Sequence, residues 1–419
     1  MSRSAGPDKE RERLAALAKE TVSATAHAVR PDYFGTAEHK ALGQYLESIL
    51  EGKPVIGKAT GDPSHVLLHH ANTNGGVPSL SARPIPVGEI RVAGTGSSWL
   101  EAIRGSLADA LTAYDPNREL YVRSGLTLRY GEVIALAGDY FETPEDLHDE
   151  LTPAIAAAIR KVTPSSTGTF MLTTHRGWFD YLELANRNQV HFAPRSWVAY
   201  ARQHGQALKY ALDRSYEDAL FANAFADHYL SDSFASGHLR VPRDALVGIG
   251  GARPSRAMHN EENVNGLWVQ DLSGNVWRAY GDDKLGQNPV HTTLAAFAVA
   301  TSLQRVHRAY RLEGPGASEL RKAIDAGLAE LPSEVSDDRT SWPAGLWKSP
   351  ATLPDFLGAV AGLPDIRAHL PVPLAWRETT TPGELANYQP LRWIDSAESA
   401  MQKRAVVPQF DGFFKITPV

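Results

Sequence analysis

The residues 227–240, DHYLSDSFASGHLR, carry the densest set of side chains able to do chemistry. His228 and Asp232 are four positions apart, so a helix would present them on one face, one turn from each other. His238 follows six positions later, next to Gly237, which is a natural helix break. Phe221, Ala224, Phe225, His228 and Asp232 fall at the i, i+3, i+4, i+7, i+11 spacing of a single buried stripe, which predicts a helix over 216–232. An aspartate in the last turn of a helix opposes the macrodipole. On an apolar face its burial costs several kcal/mol unless a cation compensates it. Two readings stand: a metal site, or a core histidine hydrogen-bonded to a nearby carboxylate. The chain has no cysteine, so any metal must be held by imidazole, carboxylate or carbonyl groups, a donor set suited to catalytic zinc.

A second cluster follows at 258–263, MHNEEN. In a helical segment His259 and Glu262 share a face, with Glu261 and Asn263 as neighbours on either side.

These residues have to be positioned by a mainly helical chain. Apolar spacing predicts helices over 9–27, 36–50, 99–114, 151–162, 176–188, 195–213 and 290–312. Residues 133–137 form a short apolar run ahead of Gly138-Asp139. The stretch 52–98 is rich in glycine, proline and serine and reads mostly as loop. A β-hairpin is expected where 267–270 and 276–280 flank Ser273-Gly274-Asn275. The expected organisation is a helical metal-dependent catalytic domain over 1–330, with an irregular C-terminal extension over 331–419 packed on it or appended to it.

At both spacings, His228, Asp232 and His238 match the His-x3-Asp-x5-His run of the zinc-dependent phospholipase C and P1 nuclease superfamily, which the chain resembles. His259 with Glu262 resembles the family's later histidine–carboxylate pair, at three residues where four is usual; Asn263 holds the fourth place. The wording around them, GHLRVPR and then HNEENVNGLWVQDLSGNVWRAYGDDKL, is most similar to the phosphatidylcholine-hydrolysing branch known from Gram-negative bacteria. The resemblance is good over about 131–285, thinner before that stretch and absent after about Tyr310.

The resemblance implies a multi-helix bundle with a small hairpin, and two or three zinc ions. It also implies three further ligands: His39 in GTAEHKALG, Asp139 in ALAGDYF and His191 in NRNQVHFAP. Asp139 would also be the catalytic base, with Asp180 as the alternative. One departure concerns the first residue. The family commonly uses an N-terminal tryptophan as a ligand, whereas this chain begins with Met1 in a charged segment and its first tryptophan is Trp99.

The implied activity is hydrolysis of phosphodiesters, with a phosphatidylcholine-like lipid split into diacylglycerol and a phosphorylated head group. Alternatives are a cytoplasmic metalloenzyme on the same scaffold with a biosynthetic or nucleotide substrate, and a non-catalytic helical metal-binding protein. Trp178, Phe179, Tyr181, Phe192 and Trp197 are candidates to receive a choline ammonium or a base, and equally candidates for the core. A formal charge of -6 gives no long-range attraction to polynucleotides, so a stable nucleic-acid complex is not expected.

Other histidines are read blandly. His65, His69 and His70 lack the glutamate of a metalloprotease motif and suggest a loop or strand, with the ligand the N-terminus does not supply as the alternative; His148-Asp149 suggests a surface helix start; His204 suggests core or a supporting position. The charged N-terminal sequence lacks the apolar run of a signal peptide, and no stretch reaches the ~20 apolar residues of a membrane span. The expectation is a soluble chain: cytoplasmic, exported by a non-classical route, or secreted after loss of a leader.

Overall fold

The computed structural model describes residues 35–51, 68–70, 90–92, 114–123, 125–163, 188–239, 241, 259, 262–263, 266–272, 275–281, 284–332 and 350–373. The helix expected over 9–27 lies outside them, as do those over 99–114 and 176–188 apart from their last residues. His65, Trp178, Phe179, Asp180, Tyr181 and Glu261 lie outside them too.

The described elements, in chain order, are mostly helical: α1 (Thr36–Gln44) and α2 (Leu46–Leu50), strands β1 (Leu68–His70), β2 (Ile90–Val92), β3 (Glu119–Arg123) and β4 (Leu126–Arg129), then α3 (Tyr130–Leu136), α4 (Pro144–Glu150) and α5 (Pro153–Lys161). After them come α6 (Arg195–Leu212), α7 (Tyr216–Asp232), the short α8 (Ser236–Leu239), β5 (Leu267–Gln270), β6 (Asn275–Ala279), α9 (Pro289–Arg311), α10 (Gly314–Glu330) and β7 (Val372–Pro373).

α7 is the centre of the bundle. It is buried on nearly every side from Ala219 to Asp232, and so is lined by α1, α3, α6 and α9 rather than by solvent. Alanines at 219, 222, 224 and 226 keep its girth small enough for these neighbours to close around it. α9 starts on a clean cap: the Asn288 side chain accepts the Val290 N–H, and Pro289 takes the first turn. α4 starts on a capping box, Thr143 with Asp146, and the exposed His148–Asp149 pair lies within that surface helix.

α1 reaches α7 through an unusually close backbone contact with α3. A Cβ on Gly43 would lie 2.5 Å from the Gly131 Cα, and one on Gly131 would lie 2.4 Å from the Lys40 carbonyl. Lys40 strengthens the attachment by donating to the carbonyls of Ile159 (2.8 Å) and Val162 (3.0 Å) at the end of α5. Tyr45 interrupts the single helix expected over 36–50 and splits it into α1 and α2.

The β-structure is small and antiparallel. The expected hairpin is present as β5–β6, with the second strand one residue earlier than the spacing suggests. It sits inside a five-stranded sheet of order β2-β1-β6-β5-β7, so the region read as loop contributes two strands. β3 and β4 form a second hairpin that the sequence reading lacked.

From the expected C-terminal extension, residues 350–373 are described and pack against α9 and α10 through Phe356, Leu357 and Ile366. Arg305 of α9 is fully buried and holds this segment by donating to the carbonyls of Phe356, Leu357, Gly358 and Pro364.

Candidate metal centre

The last two turns of α7 place His228 and Asp232 in the interior, both essentially without exposure. Around the Asp232 carboxylate the fold assembles four imidazoles. Oδ2 lies 2.6 Å from His191 Nδ1 and 3.3 Å from His228 Nε2; Oδ1 lies 3.3 Å from His238 Nδ1 and 3.4 Å from His39 Nε2. His39 arrives on α1, His191 on the 3-10 turn Asn188–His191, and His238 on α8. The His191 segment is tied to α8 because the Ala193 N–H donates to the His238 carbonyl at 2.8 Å.

Asp139 joins them from the turn after α3. Its ligand atom and those of His191 and His228 lie within 4.8 Å of one another, as do those of His39, His228 and Asp232. Asp139 is half-buried where His39, His191, His228 and Asp232 are buried, so it marks the side on which the cluster meets solvent. Gly138 permits this approach. Its φ is +66°, and a Cβ there would lie 2.5 Å from His228 Nε2 and 2.8 Å from His191 Cε1.

The proton positions follow from the far side of each ring. His228 Nδ1 meets the Ile134 carbonyl at 3.0 Å, and a carbonyl only accepts, so Nδ1 carries the hydrogen and Nε2 turns a lone pair on Asp232 and His191. Ser231 Oγ donates to the helix carbonyls of Asp227 and His228, leaving its oxygen to accept from His39 Nδ1 at 2.8 Å. His39 Nε2 therefore also presents a lone pair towards Asp232.

Burial, aided by the neighbouring His39 and His191, outweighs the pull of Asp232 and holds the His228 pKa well below the usual imidazole range. Burial works against the charged Asp232, but His228, His191 and His238 hold its carboxyl well below the usual carboxylate range. Burial likewise opposes charge on His191, and Asp232 reverses that and raises it.

A metal-free reading can use one hydrogen on His191 Nδ1, which reaches Asp232 Oδ2 at 2.6 Å and His228 Nε2 at 3.2 Å. That one hydrogen is shared between two acceptors, with the Asp139 carboxylate alongside. A cation meets all three at once, and the His228 and His39 rings, fixed from behind by Ile134 and Ser231 with carboxylates in front, are the kind of donors a divalent metal takes. The residues fit a metal ion.

A further corner adjoins this cluster. The His238 and His259 rings lie 4.9 Å apart, with Phe192 packed on both. Asn263 faces His259: its Oδ1 accepts the Gly237 N–H at 2.7 Å, which turns Nδ2 to 3.2 Å from His259 Nε2. Glu262 is buried on the same turn, where its carbonyl accepts the Ser236 hydroxyl.

Of the eight expected ligands, His39, His228 and Asp232 form one group within ligand range and Asp139, His191 and His228 another; His238 flanks Asp232, His259 stacks near His238, and Glu262 is buried beside α8. Ser231, Ile134 and Gly138 complete the cluster, and nothing in the local sequence of Ser231 singled it out. Of the expected aromatics, Trp197 is buried in the core and Phe192 is buried against His238 and His259. His204 is core as well, its pKa lowered by burial to about 3. His69 and His70 sit in β1.

Compared with protein-family models, curated proteins and solved structures, the chain matches none. A functional reading therefore rests on these residues and their geometry.

Proposed function

We propose that this protein is a zinc-dependent hydrolase of phosphodiesters on a phospholipase C-like helical bundle, acting on phosphatidylcholine-like lipids. The observation that carries the reading is the buried carboxylate of Asp232, facing four imidazoles, two at each of its oxygens. His39, Asp139, His191, His228, Asp232 and His238 would hold the zinc. Zinc bound there would lower the pKa of water and neutralise charge on a phosphoryl oxygen.

The chain's own residues supply the rest. Ile134 and Ser231 fix the tautomers of His228 and His39, so that lone pairs face inward without rearrangement. Asp139, on the solvent side, orients the attacking water and accepts its proton. The bond broken is between phosphorus and the glycerol oxygen, giving diacylglycerol and a phosphorylated head group. Lipid is favoured over nucleic acid by the wording of residues 222–285 and by a net charge of -6, which offers a polyanion no attraction.

Zinc-loaded protein is incubated with short-chain phosphatidylcholine and, separately, with single-stranded DNA and RNA. Release of phosphocholine supports the reading. Nucleotide release without phosphocholine transfers it to nucleic acid, and release of neither indicates a different substrate. Asp139→Asn is expected to keep the fold and lose activity by orders of magnitude; equal activity would remove Asp139 from the mechanism.

A further inference from the structure

Behind the metal-holding face of α7 lies a second set of buried polar groups drawn from α3, α6, α7 and α9. Arg305 Nε donates to His204 Nε2 at 3.1 Å. His204 Nε2 is then an acceptor, so its hydrogen sits on Nδ1, 2.5 Å from Asn223 Oδ1. Asn223 Nδ2 donates to the Tyr130 hydroxyl at 2.7 Å, and that hydroxyl donates to Asp227 Oδ2 at 2.7 Å. Every link points the same way, from a buried guanidinium to a buried carboxyl group. Burial keeps His204 neutral, its pKa near 3, as the chain of donors requires. Hydrogen bonds aligned in this way polarise one another and hold tighter than isolated ones.

The chain ends one residue before His228. Tyr130 is the first residue of α3, and Ile134, one turn on, is the residue whose carbonyl fixes His228 Nδ1. α3 therefore grips α7 at two successive levels: Tyr130 on Asp227, and Ile134 on His228. The first contact sets the height and rotation of α7 at which the second can form.

We propose that Arg305, His204, Asn223, Tyr130 and Asp227 form a directional relay that positions α7, with Tyr130 as the positioning residue that keeps His228 in its metal-binding tautomer and place. This rests on reading the α7 cluster as a metal centre. The relay also links that centre to the segment 350–373, because the Arg305 guanidinium at its head is held by that segment's carbonyls.

The test compares wild type, Tyr130→Phe and Ile324→Val in the full-length chain. Ile324 is a fully buried residue of α10, and its loss of one methyl group lowers stability by a comparable amount away from the relay. Two readouts are taken: cobalt(II) titration of the metal-free protein, following affinity and d–d absorption, and ¹⁵N-histidine spectra of the metal-free protein, which report the His228 tautomer. Tyr130→Phe is expected to weaken cobalt binding roughly 10–100-fold, shift the d–d bands and lose the pure Nδ1–H form of His228, while Ile324→Val matches wild type. His204→Leu, which removes both the acceptor for Arg305 and the donor to Asn223 two links earlier, is expected to move the same readouts in the same direction, and it decides the matter if Tyr130→Phe fails to fold. Wild-type behaviour in both relay variants, or an equal change in Ile324→Val, overturns the proposal. If wild type takes up no cobalt, the metal reading fails, and the relay stands or falls on the His228 tautomer alone.

Discussion

Replacing Gly138 by alanine tests the geometry of the centre at one atom. The new Cβ would sit 2.5 Å from His228 Nε2, 2.6 Å from His228 Cδ2 and 2.8 Å from His191 Cε1. Ordinary contact needs about 3.5 Å, so the two rings must part by roughly 1 Å or the turn must move. His228 has no slack, because its Nδ1–H is already engaged by the Ile134 carbonyl at 3.0 Å. A metal–nitrogen bond tolerates about 0.2 Å, so the loss of affinity should exceed the 10–100-fold typical of supporting residues.

The left-handed backbone adds about 1–2 kcal/mol of destabilisation that has nothing to do with the rings. Gly125→Ala isolates that term: its φ is +78° and nothing lies within 4 Å of an added Cβ. The assay is zinc competition against a chelating indicator, with thermal unfolding of the metal-free proteins in parallel. Both variants should lose comparable backbone stability, and only Gly138→Ala should lose zinc. Wild-type zinc affinity in Gly138→Ala would refute the placement of His191 and His228 on one ion.

Acid should unfold the protein steeply. Burial holds the pKa of His204 near 3 and those of His291 and His369 near 4, all below the 6.5 of the unfolded chain. From pH 6.5 down to about 4 the unfolded state therefore binds protons that the folded state cannot. Each of the three removes about 1.4 kcal/mol of stability per pH unit in that window. His291→Gln should reduce the steepness of the urea midpoint against pH, and an unchanged slope would contradict the assignment. Arg305→Met leaves buried carbonyls of residues 356–364 without their donor and should cost about 3 kcal/mol or more. It should also open residues 350–373 to limited proteolysis, and wild-type resistance would count against the Arg305 clasp. Chelator should lower the melting temperature of zinc-loaded protein, by the equivalent of about 4 kcal/mol when zinc stood at a thousand times its dissociation constant.

α7 was legible because its evidence is local: the apolar stripe and the His-x3-Asp spacing lie in one helix, and the expected bounds of 216–232 are those observed. α9 was read to within a residue at each end for the same reason. α3 was visible only as an apolar run, because seven residues are too few to separate helix from strand by periodicity. α10 is largely exposed and polar, with only Leu320, Ile324 and Gly327 buried, so it carries little apolar signal.

Within the site, single residues were legible and their meeting was not. His39 reaches Ser231 across 192 positions because Gly43 and Gly131 let two helix backbones touch, and no local pattern encodes that pairing. The same holds for the relay, since Tyr130, His204, Asn223 and Arg305 are single polar residues on separate helices. Asn263, noted only as occupying the fourth place after His259, turns out to aim its amide at that ring.

On the proposed reading, Asp232 would hold metal together with His39, Asp139, His191, His228 and His238. Anomalous diffraction at the zinc edge, from crystals of protein purified without chelator and grown with zinc, tests it directly. Strong peaks are expected within coordination distance of Asp232. A map with no peak there, with His191 hydrogen-bonded to Asp232 across a metal-free site, would contradict it.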